Sequence, residues 1–294
     1  MAPYAIRAGD THVEVWTGYR VQFGGMERHD WQKMLKAELK VALSQLDLAA
    51  NVPFCGYYAT TDTIRSDAEN SLFTNLLESM PANVRFLRFE RGTAAPPPPP
   101  KPIEIVGNHM HYYRYEVNAP WRAWRRDELL AKWSRVPRRI PDDGSARPAW
   151  YALRCASAQK QITFTDAMLP ADANFGIKLV VHATSQGPRN AVTYSERVVD
   201  GIIAAFHSDV VSDEVVAALA PKFPKLTEQD LRHALAHPAG PLFDSRAIIT
   251  SGQFVQFTPA DERCSIGELQ IQTDAADRWP EISGELFTVQ EVKP

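Results

Sequence analysis

Apolar positions show the clearest periodicity between residues 54 and 80. The run Phe54–Thr60 is short and aromatic, which predicts a β-strand. Ser66 and Glu69 then stand three residues apart, the spacing of a capping box, in which each side chain bonds the backbone amide of the other residue. Apolar residues follow at helical spacing and stop at Pro81, which predicts a helix. They are Leu72, Phe73, Leu76, Leu77 and Met80.

A second pattern of the same kind lies between residues 177 and 207. Residues 177–184 predict a strand, Thr193 and Glu196 repeat the capping-box spacing, and apolar residues continue at helical spacing to residue 206. The tetrapeptide at residues 4–7, Tyr-Ala-Ile-Arg, also resembles Tyr-Ala-Leu-Arg at residues 151–154. Three matches in the same order indicate an internal duplication. We therefore expect an α+β fold of two related domains, each a mixed β-sheet with packed helices.

A run of five prolines, residues 96–100, interrupts the chain and predicts a stiff polyproline II spacer or protruding loop. It suggests three regions. Residues 1–95 form an N-terminal α+β domain, and residues 96–148 form the Pro-rich spacer with a basic, Trp-rich strand-helix segment. Residues 149–294 form a C-terminal α+β domain that ends in antiparallel strands.

Composition limits the class of protein. A hydrophobic content of 45% and a charged content of 23% are typical of soluble globular chains. No apolar run approaches the roughly 20 residues of a membrane span, and the first residues lack a signal-peptide core. The 3 cysteines form no CxxC pair and suggest no disulfide framework. These features predict a soluble, cytoplasmic protein that does not contact a membrane.

Charge is distributed unevenly along the chain. Residues 101–160 carry 12 basic and 6 acidic side chains, although the whole chain has a net charge of -3. Within this segment tryptophans and arginines interleave, and the spacing predicts a helix from residue 121 to 133. Arginines suit phosphates and indole rings suit unstacked bases, so the segment predicts contact with nucleic acid or an acidic protein. The residues concerned are Trp121, Arg122, Trp124, Arg125, Arg126, Arg138 and Arg139.

The leading interpretation from the sequence is therefore a non-catalytic binding or adaptor protein that needs no cofactor. An alternative is an assembly subunit that binds no nucleic acid, in which Trp121, Trp124 and Trp133 bury against a protein partner. Two histidine pairs, His109 with His111 and His233 with His237, have spacings that suit one side of a metal site. No third ligand accompanies either pair, so the sequence predicts no histidine metal site.

Candidate chemistry is confined to Asp67, Glu69 and Asn70 at the predicted helix start. Two acids at such a corner can hold Mg²⁺, whereas the same acids can simply offset the helix dipole. Standard nucleotide-binding, hydrolase and kinase motifs are absent from the sequence.

The segment Asp67-Ala68-Glu69-Asn70, after a strand and before an apolar helix, resembles the D-x-D-N corner of RusA-like Holliday junction resolvases. These are small α/β proteins that cut branched DNA with clustered carboxylates and Mg²⁺. The resemblance implies catalytic roles for Asp67, Glu69 and Asn70, and hence a Mg²⁺-dependent endonuclease acting on structured DNA as a further alternative. The chain departs from the family pattern, with Phe73 in place of a lysine and no acid pair in the second copy. These departures favour a duplicated fold that has lost catalysis.

Overall fold

The fold is that of a computed structural model, which describes residues 2–26, 29–49, 51–63, 66–105, 109–141, 143–165, 169–185, 187, 189–240, 242–251, 254–274 and 279–292. The strands are β1 (Tyr4–Ala8), β2 (His12–Thr17), β3 (Phe54–Thr60), β4 (Phe86–Arg91), β5 (His111–Val117), β6 (Trp124–Pro137), β7 (Ile162–Phe164), β8 (Phe175–His182), β9 (Ile248–Ser251), β10 (Phe254–Phe257), β11 (Cys264–Gln272) and β12 (Glu281–Glu291). The α-helices are α1 (Asp30–Leu43), α2 (Arg147–Ala158), α3 (Val192–Ala205), α4 (Asp213–Leu219) and α5 (Glu228–Ala236).

Shorter helical pieces complete the chain. Residues 68–79, which we call the corner helix, contain a π-helical turn over Asn70–Thr74 and a 3₁₀ turn over Leu77–Ser79. Further 3₁₀ turns lie at Ala220–Lys222 and Asp261–Arg263. None of the described helices is long and apolar enough to cross a membrane.

Ten strands form one mixed sheet in the order β1-β2-β5-β3-β4-β11-β8-β12-β6-β7, and β9 pairs with β10 in a separate hairpin. The pairs β3–β4 and β11–β8 are parallel, and the other pairs of the large sheet are antiparallel. The expected combination of helices with a mixed sheet is confirmed.

The sheet has the same strand arrangement on both sides of its central antiparallel pair, β4–β11. On one side follow β3, β5 and β2, and on the other β8, β12 and β6, with matching strand directions. Chain order matches as well. The elements β2, α1, β3, the corner helix, β4 and β5 correspond in order to β6, α2, β8, α3, β11 and β12, with β7 inserted after α2 and α4, α5, β9 and β10 inserted after α3. At the centre Arg88 faces Glu268, and their side chains form an ion pair with Nε and Oε1 3.1 Å apart.

The main hydrophobic core lies on one face of the large sheet, where inward strand residues pack against the helices. Leu35 and Leu39 of α1 and Ile202 of α3 are fully buried in this core. Two smaller apolar clusters without helical residues occupy the opposite face. The proline run packs there, since Trp16 donates from Nε1 to the carbonyl oxygen of Pro97 over 2.8 Å.

The predicted helix over residues 121–133 is wrong, because residues from Trp124 onward form strand β6. Register shifts, typical of β-bulges, interrupt its pairing with β12 at three places. A bulge breaks the alternation of inward and outward side chains. The buried positions of β6, which include Leu130, Ala131 and Trp133, consequently lack the period of a regular strand.

Two other local predictions are also wrong. The matching tetrapeptides at residues 4–7 and 151–154 are not structural equivalents, because the first lies in β1 and the second in α2. At α3, Thr193 does not form a capping box. The N-cap of α3 is Ala191, and Asn190 before it accepts at Oδ1 from the backbone amide of Val192 over 3.0 Å.

Candidate metal centre

Three aspartates from distant parts of the sequence meet beside the helices. Single carboxylate oxygens of Asp67, Asp200 and Asp261 all lie within 4.8 Å of one another. Each of the three residues is half-buried, so the cluster is set into the protein and retains access to solvent. Three oxygen donors at such spacing form a plausible ligand set for a hard divalent cation.

Sheet topology explains why these residues meet. Because β3 and β4 are parallel, the chain leaving β3 toward Asp67 lies at the edge of the sheet where β4 ends. Strand β11 is antiparallel to β4 and begins at that same edge, which places Asp261 just before it. Asp200 comes from α3, which packs against the corner helix.

Glu69 is the most buried acid of this region, with 1% of its surface exposed. Its Oε1 accepts a short hydrogen bond from the hydroxyl of Ser195 on α3. Its Oε2 has no hydrogen-bond partner among the described residues. A buried carboxylate oxygen without a partner is costly, so this atom requires a proton or a cation.

Burial raises the pKa of every acid in the cluster. Desolvation raises the pKa of Asp67 to about 6, although the backbone amides of Asn70 and Glu69 oppose the shift. Desolvation and the charge of Asp67 raise the pKa of Asp261 to about 8. The pKa values of Glu69 and Asp200 lie well above their ordinary range for the same two reasons, burial and neighbouring carboxylates. The cluster thus shares protons at neutral pH unless a cation replaces them.

The predicted capping box at Ser66 and Glu69 is wrong. Asp67 caps the corner helix instead, accepting at Oδ1 from the amide of Glu69 over 2.8 Å. The Ser66 hydroxyl points to the hydroxyl of Tyr58, 3.3 Å away. Glu69 does not reach back because its carboxylate bonds Ser195 on the neighbouring helix. Tertiary packing therefore replaces the local bond that the spacing suggested.

The sequence predicts a candidate site at Asp67, Glu69 and Asn70. The structure adds Asp200 and Asp261 to this site, together with the negative charge of Glu196. The side-chain oxygen of Asn70 is buried without a partner among the described residues. Glu196 and Asp200 stand four apart on α3, a spacing that puts two acids on one helix face. That signal was available in the sequence, whereas the approach of Asp261 depends on the strand order.

The predicted basic binding segment is largely engaged within the chain. Arg122 pairs with Glu116. Arg126 pairs with Glu285 over 2.7 Å. On β6, Arg125 donates from Nε to the side-chain oxygen of Gln290 over 3.1 Å.

The remaining members of the segment differ in their surroundings. Arg138 is buried, with its guanidinium 5.2 Å from the ring centroid of Tyr194, whereas Arg139 is exposed. Trp121 stacks under the guanidinium of Arg88 at 3.8 Å. Trp124 is buried. Trp133, which the assembly interpretation also invoked, is buried too.

The two histidine pairs take different roles. His109 precedes strand β5, which begins at His111. His111 is buried, and its Nδ1 bonds the hydroxyl of Tyr58 at 2.8 Å. The ring centroids of His233 on α5 and His237, which directly follows this helix, are 4.3 Å apart.

Comparison with known proteins identifies no relative of this chain. No protein-family model matches it, and neither a curated protein nor a solved structure matches it. The resemblance at Asp67–Asn70 therefore rests on those residues alone. The geometry of the carboxylate cluster is the remaining indication of function.

Proposed function

We propose that this protein is a Mg²⁺-dependent phosphodiesterase that acts on structured nucleic acid. The observation that carries the proposal is the carboxylate cluster of Asp67, Asp200 and Asp261, beside the unpartnered buried oxygen of Glu69. Oxygen ligands lie about 2.0–2.1 Å from Mg²⁺, so ligands of one ion are at most about 4.2 Å apart. Small side-chain movements would bring the three oxygens, which lie within 4.8 Å of one another, to that spacing.

Electrostatics supports a cation at this place. Several buried acids with raised pKa values repel one another, which destabilises the folded chain at neutral pH. A divalent cation held by Asp67, Asp200 and Asp261 would remove this repulsion. Clusters of strongly perturbed acids are commoner at functional sites than elsewhere in proteins.

The carboxylate oxygen donors determine which chemistry the site can support. When bound, Mg²⁺ lowers the pKa of its water and offsets charge on a phosphate oxygen. Asp67, Asp200 and Asp261 would hold and orient the ion. Glu69, buried and bonded to Ser195, is placed to hold or release a proton next to it. The resemblance to RusA-like resolvases at Asp67–Asn70 supports a nucleic-acid phosphodiester as the substrate class.

We also propose that the chain arose by duplication of a unit with the order strand, helix, strand, helix, strand, strand. The matching strand order on both sides of β4–β11 supports this. Asp67 and Glu69 would then come from the first copy, and Asp200 and Asp261 from the second. The site would thus be a shared one that neither copy contains alone.

The test is a cleavage assay with labelled single-stranded, duplex and branched DNA and RNA, in EDTA and then in Mg²⁺ or Mn²⁺. We expect cleavage only with metal, and loss of cleavage in Asp200→Asn and Asp261→Asn. Asp213→Asn is the matched control, because Asp213 is 92% exposed and lies on α4. Equal cleavage by all variants, or none by the wild type with any substrate, would refute the proposed activity.

A non-catalytic nucleic-acid binder is the second candidate, and the exposure of Arg125, Arg126 and Arg139 favours it. The same substrates in EDTA separate the two. Salt-sensitive binding that weakens in the double variant Arg125→Glu, Arg126→Glu, with no cleavage in Mg²⁺, supports the binder. Binding that is unaffected by these substitutions would contradict it.

A further inference from the structure

We propose that a small cleft beside the carboxylate cluster binds one phosphoryl group of the substrate through Arg91. This inference rests on the proposed function, because it assigns a substrate group to the same site. The cleft has a volume of about 140 Å³. Its lining residues are Tyr58, Thr60, Asp62, Thr63, Ser66, Arg91 and Gly92.

The cleft adjoins the proposed cation position. Ser66 lines it and directly precedes Asp67. Arg91, at the end of β4, donates from Nη2 to the carbonyl oxygen of Ser66 over 2.6 Å. The guanidinium is close enough to Asp67 for its charge to lower the pKa of that carboxyl, against the larger effect of burial. A phosphate in the cleft would therefore contact both Arg91 and a cation held by Asp67.

The lining chemistry suits a phosphate. Four of the described lining residues carry hydroxyls, and Arg91 is the only cation among them. A guanidinium fits the oxygens of a phosphate with two parallel hydrogen bonds. Asp62 is the acid of the cleft, and its Oδ1 lies 3.4 Å from Nδ1 of His109.

The buried His111 lies behind the cleft and adds no positive charge to it. His111 bonds the hydroxyls of Tyr58 and Thr60, at 2.8 and 3.2 Å. Burial lowers the pKa of His111 to about 4, so its ring is neutral at physiological pH. Among the described residues that line the cleft, Arg91 therefore supplies the positive charge for an anion, and a bound metal would add to it.

The size of the cleft indicates which part of a substrate it takes. Pockets that enclose a whole drug-sized ligand have volumes of about 300–1,000 Å³. The cleft is less than half as large as the smallest of these. It therefore accepts a phosphoryl group and leaves the sugar and base outside, which gives recognition without sequence preference.

The test measures metal and phosphate binding separately, by titration calorimetry on the full chain. Inorganic phosphate probes a terminal phosphate and dimethyl phosphate probes a diester, each with Mg²⁺ and with EDTA. We expect at least one of the two to bind the metal-loaded wild type. Arg91→Gln should weaken that binding about tenfold to a hundredfold, whereas Mn²⁺ binding remains. Arg91→Lys keeps the charge but loses the two parallel hydrogen bonds. Its phosphate affinity should therefore lie between those of the wild type and Arg91→Gln.

Arg85→Gln is the matched control, because Arg85 flanks the other end of β4 and its side chain donates from Nη1 to the hydroxyl of Thr273 over 3.4 Å. Melting temperatures of all variants show whether each remains folded. Unchanged phosphate affinity in Arg91→Gln, or no affinity for either probe in the metal-loaded wild type, overturns the inference. Failure of Mn²⁺ to bind would refute the metal site alone, and Arg91-dependent phosphate binding in EDTA would still support the cleft.

Discussion

Individual carboxyl groups set the pH behaviour that the structure implies. The pKa values of Asp67 and Asp261 are raised from 3.8 to about 6 and about 8. Between pH 4 and pH 8 the folded chain therefore keeps protons that the unfolded chain releases. Stability falls as pH rises wherever the folded state binds more protons than the unfolded state. The contribution of these two carboxyls to the stability of the metal-free protein should thus be largest near pH 4. Below about pH 6.5 the buried His111 and His207 act in the opposite direction, because burial lowers the pKa of each to about 4.

A substitution isolates this effect. Asp261→Asn removes one titrating group, so the fall in melting temperature between pH 6 and pH 8 in EDTA should shrink. Each kcal/mol of repulsion removed raises the melting temperature by about 2–4 °C for a chain of this size or somewhat smaller. Thermal melts at four pH values, with Asp213→Asn as the control, measure it. An identical pH dependence in wild type and Asp261→Asn would show that Asp261 does not titrate in this range.

The same protons should compete with metal. Carboxylates must lose their protons to bind a cation, so metal affinity depends on pH. We expect Mn²⁺ affinity to rise from pH 6 to pH 8, because Asp261 titrates with a pKa of about 8. Titration calorimetry in buffers of different ionisation enthalpy also reports the protons released. Constant affinity with no proton release would contradict the raised pKa values.

At the scale of elements, a buried ion pair ties α2 to the chain that follows α3. Arg154 on α2 and Asp209 are 0% and 1% exposed at their side chains, and Nη2 and Oδ2 are 2.8 Å apart. Asp209 also accepts at Oδ1 from the amides of Ala247 and Ile248, which anchors the β9–β10 hairpin. Removing one partner of such a pair leaves a buried charge without compensation.

Asp209→Ala should therefore lower the free energy of unfolding by about 3–5 kcal/mol. The matched control is Asp213→Ala, which removes the partner of Arg232 in an exposed pair and should cost about 0–1 kcal/mol. Urea denaturation of both variants measures the difference. Equal costs for the two substitutions would mean that the buried pair contributes no more than a surface contact.

The elements also show what the sequence could and could not predict. The strand-helix corner at residues 54–80 and the acids Asp67 and Glu69 were recognised, because both depend on local spacing. Strand β6 was mistaken for a helix, because its bulges remove the alternation that marks a strand. Asp261 joins the site through the pairing of β4 with β11, and no local pattern predicts a pairing between strands so distant in the chain. Asp200 joins it through the packing of α3 against the corner helix.

Across the whole molecule, the charge asymmetry of the sequence is largely cancelled in space. Several basic residues between 101 and 160 lie on strands β5 and β6 beside acidic residues. Arg114 pairs with Glu14 of β2 over 2.9 Å, and Lys132 pairs with Glu285 of β12 over 2.9 Å. The carboxylate cluster is different, since burial and neighbouring acids raise the pKa values of its three aspartates and of the adjacent Glu69. This local concentration of acidic groups is the feature of the molecule that a bound cation would stabilise most.

Titration of Mn²⁺ into the wild type, Asp200→Asn and Asp213→Asn at pH 8 tests this account most directly. Asp200 lies on α3, so its contribution depends on the packing of that helix against the corner helix. The account predicts one bound ion in the wild type and in Asp213→Asn, and at least about tenfold weaker binding in Asp200→Asn. Absence of binding in the wild type, or equal affinity in all three proteins, would contradict a metal centre at this cluster.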